Sequence, residues 1–129
     1  MATQPNTPGT PSRRTYATAT VTTAADGLSD VVDLGGLALS SIQMSTTWTA
    51  ANLTFKGSAS SSAVMNSIYH TTATVELTYL TSASIAHIVD PAFFAGIRFL
   101  QLRSGTSATP VAQAAARSVI IGLSPYGQI

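Results

Sequence analysis

NLTFKG, residues 52–57, decides the fold class, because its apolar and polar side chains alternate along the segment. A β-strand with one buried face has this period of two. Leu53 and Phe55 are predicted to face the core, and Thr54 and Lys56 to face outward. The segment therefore predicts a strand at the surface of a two-layered β protein.

Further strand-like segments lie on both sides of residues 52–57 and are separated by turn signals. They are TYATATVTT (15–23), SDVVDL (29–34), LALSSIQM (37–44), TVELTYL (74–80), SIAHIV (84–89), IRFLQLRSG (97–105) and RSVIIGL (117–123). The apolar phase changes at Ser40-Ser41, which predicts a β-bulge. SASSSA (58–63) is predicted to be a loop. DPAFFAG (90–96) predicts a helical turn, with Asp90 as its N-cap.

Short strands at regular spacing, with no long helical period, are typical of sandwiches and barrels. We therefore expect an all-β fold, a two-sheet jelly-roll-like β-sandwich over residues 15–129. Residues 1–14 are expected to be a separate, extended N-terminal arm.

The arm is defined by a proline at every third position, and proline favours neither helix nor inner strand. We expect the arm to lie on a neighbouring subunit; the alternative is that it folds back on its own domain. The residues predicted to contact partners are Pro5, Pro8, Pro11, Arg13 and Arg14.

The composition is poor in charge: 9% of residues are charged, against about 25% in typical domains. A surface of Ser, Thr and Ala lacks the charge that keeps monomers from associating in solution, which favours a protein whose surface is covered by partners. The alternative is a secreted or low-charge soluble domain. The net charge of +1 predicts no nucleic-acid binding. No apolar run predicts a membrane span, and the N-terminus does not resemble a signal peptide.

Candidate catalytic groups are sparse, and the chain has no cysteine. His70 and His87 lack the spacing of a metal site and the partners of a general base. Asp26, Asp30 and Asp33 lack the spacing of a calcium loop, so we interpret them as turn residues. We expect no enzyme activity, no metal and no cofactor.

Two aromatic residues and two arginines are candidates for contacts. Trp48, the only tryptophan, is interpreted as a core residue, but an exposed Trp48 or Tyr69 could stack on a sugar ring. Arg98 and Arg103 suit an interface; the alternative is pairing within the chain, for instance with Asp90.

Residues 33–58 and 90–123 resemble a recurrent family of small proteins of tailed bacteriophages and prophages. The shared motifs are LGG (34–36), W-T-x-A-x-L-T-F (48–55), D-P-x-x-F-x-G (90–96), L-R-S-G-T (102–106) and Q-x-x-A-R (113–117). The chain departs from the family at residues 57–70, where relatives often carry an Asp-Gly turn. The resemblance implies a virion-associated β-sandwich, similar to capsid decoration or head-and-neck proteins.

Together these observations predict a structural virion protein that is assembled in the host cytoplasm. It is expected to be a capsid decoration subunit and a homo-oligomer, which binds the major capsid protein or other virion proteins. The alternative is a carbohydrate- or receptor-binding module of the neck, fibre or tail, which would present Trp48 or Tyr69 to solvent.

Overall fold

A computed structural model describes residues 15–70 and 75–125. The strands are β1 (Thr15–Val21), β2 (Val32–Asp33), β3 (Ala38–Gln43), β4 (Leu53–Ser58), β5 (Asn66–Ser67), β6 (Ala86–Ile88), β7 (Phe99–Ser104) and β8 (Arg117–Ser124), with one 3₁₀ turn (Pro91–Phe94). The predicted all-β, two-sheet sandwich is confirmed. The N-terminal arm, with Pro5, Pro8, Pro11, Arg13 and Arg14, lies outside the described residues.

The strands form two antiparallel four-stranded sheets. The first sheet has the order β1-β8-β3-β6, and the second has the order β2-β7-β4-β5. Apolar side chains from both sheets fill the space between them. Fully buried examples are Val21, Leu39, Ile42, Leu53, Phe55, Leu100, Leu102, Val119 and Ile121.

Strand β8 lies between β1 and β3 in the first sheet and follows the period of two. Val119, Ile121 and Leu123 are buried, while the residues between them face away from the core. Burying one such side chain contributes about 1.5–3 kcal/mol relative to leaving it exposed. The second sheet adds Phe55, whose ring meets that of Phe94 edge-on at 5.2 Å between centroids.

The predicted β-bulge is confirmed in β3. The register of β3 against β8 shifts between Leu39 and Ser41. The extra residue brings Leu39, Ile42 and Met44 to the buried side of the same sheet, although their spacing alone would place them on opposite faces.

The turn after β6 also follows its prediction. Asp90 has an extended backbone, its Oδ1 accepts a hydrogen bond from the N–H of Ala92, and Pro91 is the first residue of the 3₁₀ turn. Phe94 at the end of the turn is fully buried. The turn therefore closes one end of the core.

The strand predicted over residues 74–80 is wrong for the residues that the structure describes. Glu76 bridges to Tyr69, but Tyr79 bridges to Leu53. Because the segment changes partner along its length, it makes isolated bridges instead of a continuous ladder. It lies along the edge of the second sheet, beside β4 and the residues that follow β5, and its Leu77 side chain joins the core.

Three further predictions need correction in the second sheet. Thr54 faces outward as expected but is fully buried, because the loop that begins at Gly105 lies over it. Its hydroxyl donates a hydrogen bond to the carbonyl of Gly105. The strand predicted over 29–34 is reduced to β2. The short strand β5, which no alternation marks, lies beyond the predicted 58–63 loop.

Candidate interaction surface

The outer side of the first sheet carries side chains in rows across its four strands. In one row, Tyr16 pairs with Gly122, Gly122 with Ser41, and Ser41 with Ile88. We call this surface the uncharged face, because none of its members is ionisable at neutral pH. Its residues are Tyr16, Thr18, Thr20, Ser41, Gln43, Ala86, Ile88, Ser118, Ile120 and Gly122.

Large apolar groups on the uncharged face are open to solvent. Ile88 is 94% exposed and Tyr16 is 69% exposed, on the two edge strands of the sheet, and Ile120 is 37% exposed in the neighbouring row on β8. At the centre of the face the Ser41 hydroxyl lies over Gly122, where a Cβ would collide with it. A surface without charge that exposes large apolar side chains is the type of surface that partner proteins cover.

The outer side of the second sheet differs, because it carries charge and is covered by its own chain. Arg103 on β7 and Glu76 form an ion pair of 2.9 Å, with side chains only 7% and 11% exposed. Glu76 also accepts hydrogen bonds from the N–H and hydroxyl of Ser107, and Arg103 donates to the hydroxyl of Ser67. Both charges are satisfied within the chain.

Arg98 and Arg103 both pair within the chain, but neither pairs with Asp90, the partner given as the example. Arg103 pairs with Glu76, and Arg98 pairs with Asp33 at 3.2 Å on the surface. Asp90 is used as the cap of the 3₁₀ turn. The hydrogen bond from Arg98, with a second from the N–H of Gly35, lowers the pKa of the Asp33 carboxyl below its ordinary value.

Trp48 is buried, as the core interpretation expects. The indole is 6% exposed, and its N–H donates to the carbonyl of Ala51 at 3.0 Å. The alternative use of Trp48 as a sugar-stacking residue is therefore wrong, because stacking needs an exposed ring. Tyr69 remains partly exposed and lines a shallow groove of about 260 Å³ with His70 and Phe93.

Several residues of the motifs that carry the phage resemblance have identifiable structural roles. The side-chain amide of Gln113 accepts from the N–H of Thr49 and donates to the carbonyl of the same residue and to the hydroxyl of Ser104. Arg117 donates to the hydroxyls of Thr47 and Thr49. These contacts join the W-T, L-R-S-G-T and Q-x-x-A-R motifs into one supporting network.

The remaining polar candidates also have local partners. His87 Nε2 lies 2.9 Å from the hydroxyl of Thr81. Asp26 accepts from the N–H of Leu28, and Asp30 accepts from the N–H of Thr20. Within residues 15–70 and 75–125, no three histidine, aspartate or glutamate side chains come together as a metal site.

A groove of about 450 Å³ lies between the Gly35-Gly36 turn and residues 95–98, and its only ionisable side chain, Arg98, is already paired with Asp33. No helix in the described part of the chain is long and apolar enough to cross a bilayer. The uncharged face is therefore the candidate functional surface.

Comparisons with protein-family models, with curated proteins and with solved structures gave no match. The phage-family resemblance thus stays a prediction. Reasoning from sequence missed the uncharged face because it needs the pairing of β1, β8, β3 and β6, although the lack of charge inside these segments was a visible signal.

Proposed function

We propose that this chain is a structural subunit that acts without catalysis, by docking the uncharged face on another protein. The proposal includes a location and a partner: the chain is a capsid decoration protein of a phage virion, and the face binds the major capsid protein or another virion protein. The sequence resemblance supports the location, and the exposed apolar side chains of the uncharged face support the contact surface.

The observation that carries the proposal is the exposure of Ile88 and Tyr16 on a face without charge. Burying one exposed isoleucine contributes about 1.5–3 kcal/mol. No charged side chain of the face has to be dehydrated, so this gain is not offset by the cost of burying an ion. Depletion of charge at the centre is also what protein interfaces share.

The distribution of charge over the two sheets supports the same contact side. The second sheet carries the buried Arg103–Glu76 pair, together with Lys56 on β4 and Asp33 on β2, while the outward-facing strand residues of the first sheet carry no charge. A subunit oriented with the first sheet toward its partner would bury Tyr16, Ile88 and Ile120 and keep the charges of the second sheet away from the contact.

The proposal is tested by the incorporation of the chain into particles. Particles of the phage or prophage that encodes the sequence would be purified on a density gradient, and the chain counted relative to the major capsid protein by mass spectrometry. We expect a fixed stoichiometry for the unaltered chain and a loss of at least about tenfold, or 1.4 kcal/mol, for Ile88→Glu.

Val64→Glu is the matched control, because Val64 is also a β-branched residue, 61% exposed, and lies in the loop between β4 and β5. It should be incorporated as well as the unaltered chain. Absence of the chain from purified particles would refute the virion role, and equal incorporation of both variants would refute the use of the uncharged face.

A carbohydrate- or receptor-binding role remains the second candidate, on one observation. Tyr69 and Phe93 expose aromatic surface at the same shallow groove, beside His70, and such rings can stack on sugars. Binding to a glycan array that Tyr69→Ala abolishes, with incorporation unchanged, would favour this role. Binding that is absent, or unaffected by Tyr69→Ala, would exclude the groove.

A further inference from the structure

Strand β1 is an edge of the first sheet that carries no protective feature in its sequence. It pairs with β8 on one side only. The segment TYATATV has no lysine, no proline and no register shift against β8. Native edge strands usually carry such features, because an unpaired edge is a template for another strand.

The part of this edge whose backbone N–H and C=O groups lack partners among the described residues is short. Thr20 directs its N–H and C=O away from β8, where they bond the Oδ1 and the N–H of Asp30. Because direction alternates along a strand, Thr18 and Tyr16 also direct their backbone groups to the open side. No residue of the described ranges bonds these groups.

We propose that the β1 edges of two copies of this chain pair antiparallel about a two-fold axis at Ala17. Residues that exchange hydrogen bonds across such a pair must both face the partner. With the axis at Ala17, Tyr16 of each copy meets Thr18 of the other, and about four backbone hydrogen bonds form. The axis position is set by the structure, since Asp30 already occupies the next outward-facing residue, Thr20.

Charge favours the antiparallel orientation and a second copy as the occupant. In the sequence, Arg13 and Arg14 directly precede β1, while Asp26 and Asp30 follow it. Antiparallel pairing brings the basic end of one edge to the acidic end of the other, whereas parallel pairing would bring like charges together. Long-range attraction of this kind orients partners as they meet.

Packing at the axis is also compatible with this pairing. The residue that meets itself is Ala17, whose small side chain points to the core side of the sheet. On the outer side, each Tyr16 ring, 69% exposed in the single chain, lies beside Thr18 of the other copy. The two uncharged faces then form one continuous surface, which deepens the proposed docking role.

Cross-linking tests the register directly, because the chain has no cysteine of its own. Across a two-fold axis at residue 17, the two Cα atoms are about 4.5 Å apart, within the disulfide range of about 4.4–6.8 Å. We expect oxidised Ala17→Cys to form a covalent dimer. Ser118→Cys, on the neighbouring strand β8, should stay monomeric.

Light scattering on the full chain gives the second readout. We expect the measured mass to rise with protein concentration to twice 13.3 kDa, the mass of one chain. Thr18→Pro removes one outward N–H without touching the bonds to β8, and it should raise the dimer Kd at least about tenfold, whereas Thr18→Val should not. The buried Trp48 reports by its fluorescence whether each variant is folded.

A monomer at all concentrations, or no cross-link through Ala17→Cys, would overturn the β1 pairing. So would an unchanged dimer in folded Thr18→Pro. These results are independent of the particle test, although the biological purpose of the dimer rests on the proposed function. If the chain dimerises but is absent from particles, only the virion role is refuted. If it is a monomer but is incorporated into particles, only the β1 pairing is refuted.

Discussion

Removing the Glu76 carboxylate should destabilise the fold strongly, because it leaves Arg103 buried without its charge partner. The carboxylate accepts from Arg103 at 2.9 Å and from the N–H of Ser107 at 3.0 Å. In Glu76→Gln, one oxygen can still serve Ser107, but the amide then places a donor against the guanidinium. Among the residues that the structure describes, the hydroxyl of Ser67 is then the remaining acceptor for Arg103.

The expected loss in the free energy of unfolding is about 3 kcal/mol, at the lower end of the cost of breaking a buried ion pair. For a domain of this size, the loss lowers Tm by about 10 °C. The assay is urea unfolding followed by the fluorescence of Trp48, the only tryptophan and a buried one.

A double-mutant cycle with Arg103→Met separates the ion pair from the packing of the two side chains. We expect Glu76→Gln and Arg103→Met together to cost less than the sum of the single changes, with a coupling energy of about 2 kcal/mol. Additive effects, or a loss below about 1 kcal/mol for Glu76→Gln, would show that the pair behaves as a surface ion pair and would refute the reasoning.

Three further predictions concern the supports of the sandwich. Gln113→Leu should lower the free energy of unfolding by about 2–4 kcal/mol, because it leaves a backbone N–H and a C=O without partners; urea unfolding measures it, and a loss below about 1 kcal/mol would contradict it. Gly105→Ala should lower the free energy of unfolding more than Gly35→Ala. Both glycines have positive φ, which costs a residue with a Cβ about 1–2 kcal/mol, but of the two only Gly105 would place that Cβ against backbone atoms. Equal Tm values for the two variants would contradict the crowding at Gly105. The hydrogen bonds that lower the pKa of Asp33 stabilise the fold while the carboxylate is ionised, that is, above its ordinary pKa of 3.8, and this contribution is lost as the pH falls through the lowered pKa. The unaltered chain should therefore be more stable than Asp33→Asn at neutral pH and lose this advantage in acid. An advantage that persists in acid would contradict the ion pair.

The fold class could be predicted because local alternation determines it. Leu53 and Phe55 are buried on the side that their period of two predicts, and the phase change at Ser40-Ser41 located the bulge. The turn at Asp90 was predictable from its capping chemistry. Each of these signals depends on residues that are neighbours in the sequence.

What could not be predicted depends on contacts between distant segments. The burial of Thr54 follows from a loop that lies fifty-one positions away, and the partner of Arg103 lies in a segment whose alternation suggested a regular strand. The uncharged face likewise exists only once β1, β8, β3 and β6 are placed side by side. Contacts between distant segments, which local patterns do not contain, decide all three.

The most direct test of the docking surface is the chemical accessibility of Ile88 in the particle. The absence of native cysteine allows a maleimide to label Ile88→Cys alone, with Val64→Cys as the control. We predict that both variants are labelled fully as free protein, and that on purified particles labelling of Ile88→Cys falls at least about tenfold while Val64→Cys is unchanged. Equal labelling of the two variants on particles that contain the chain would contradict the claim that the uncharged face is the contact surface.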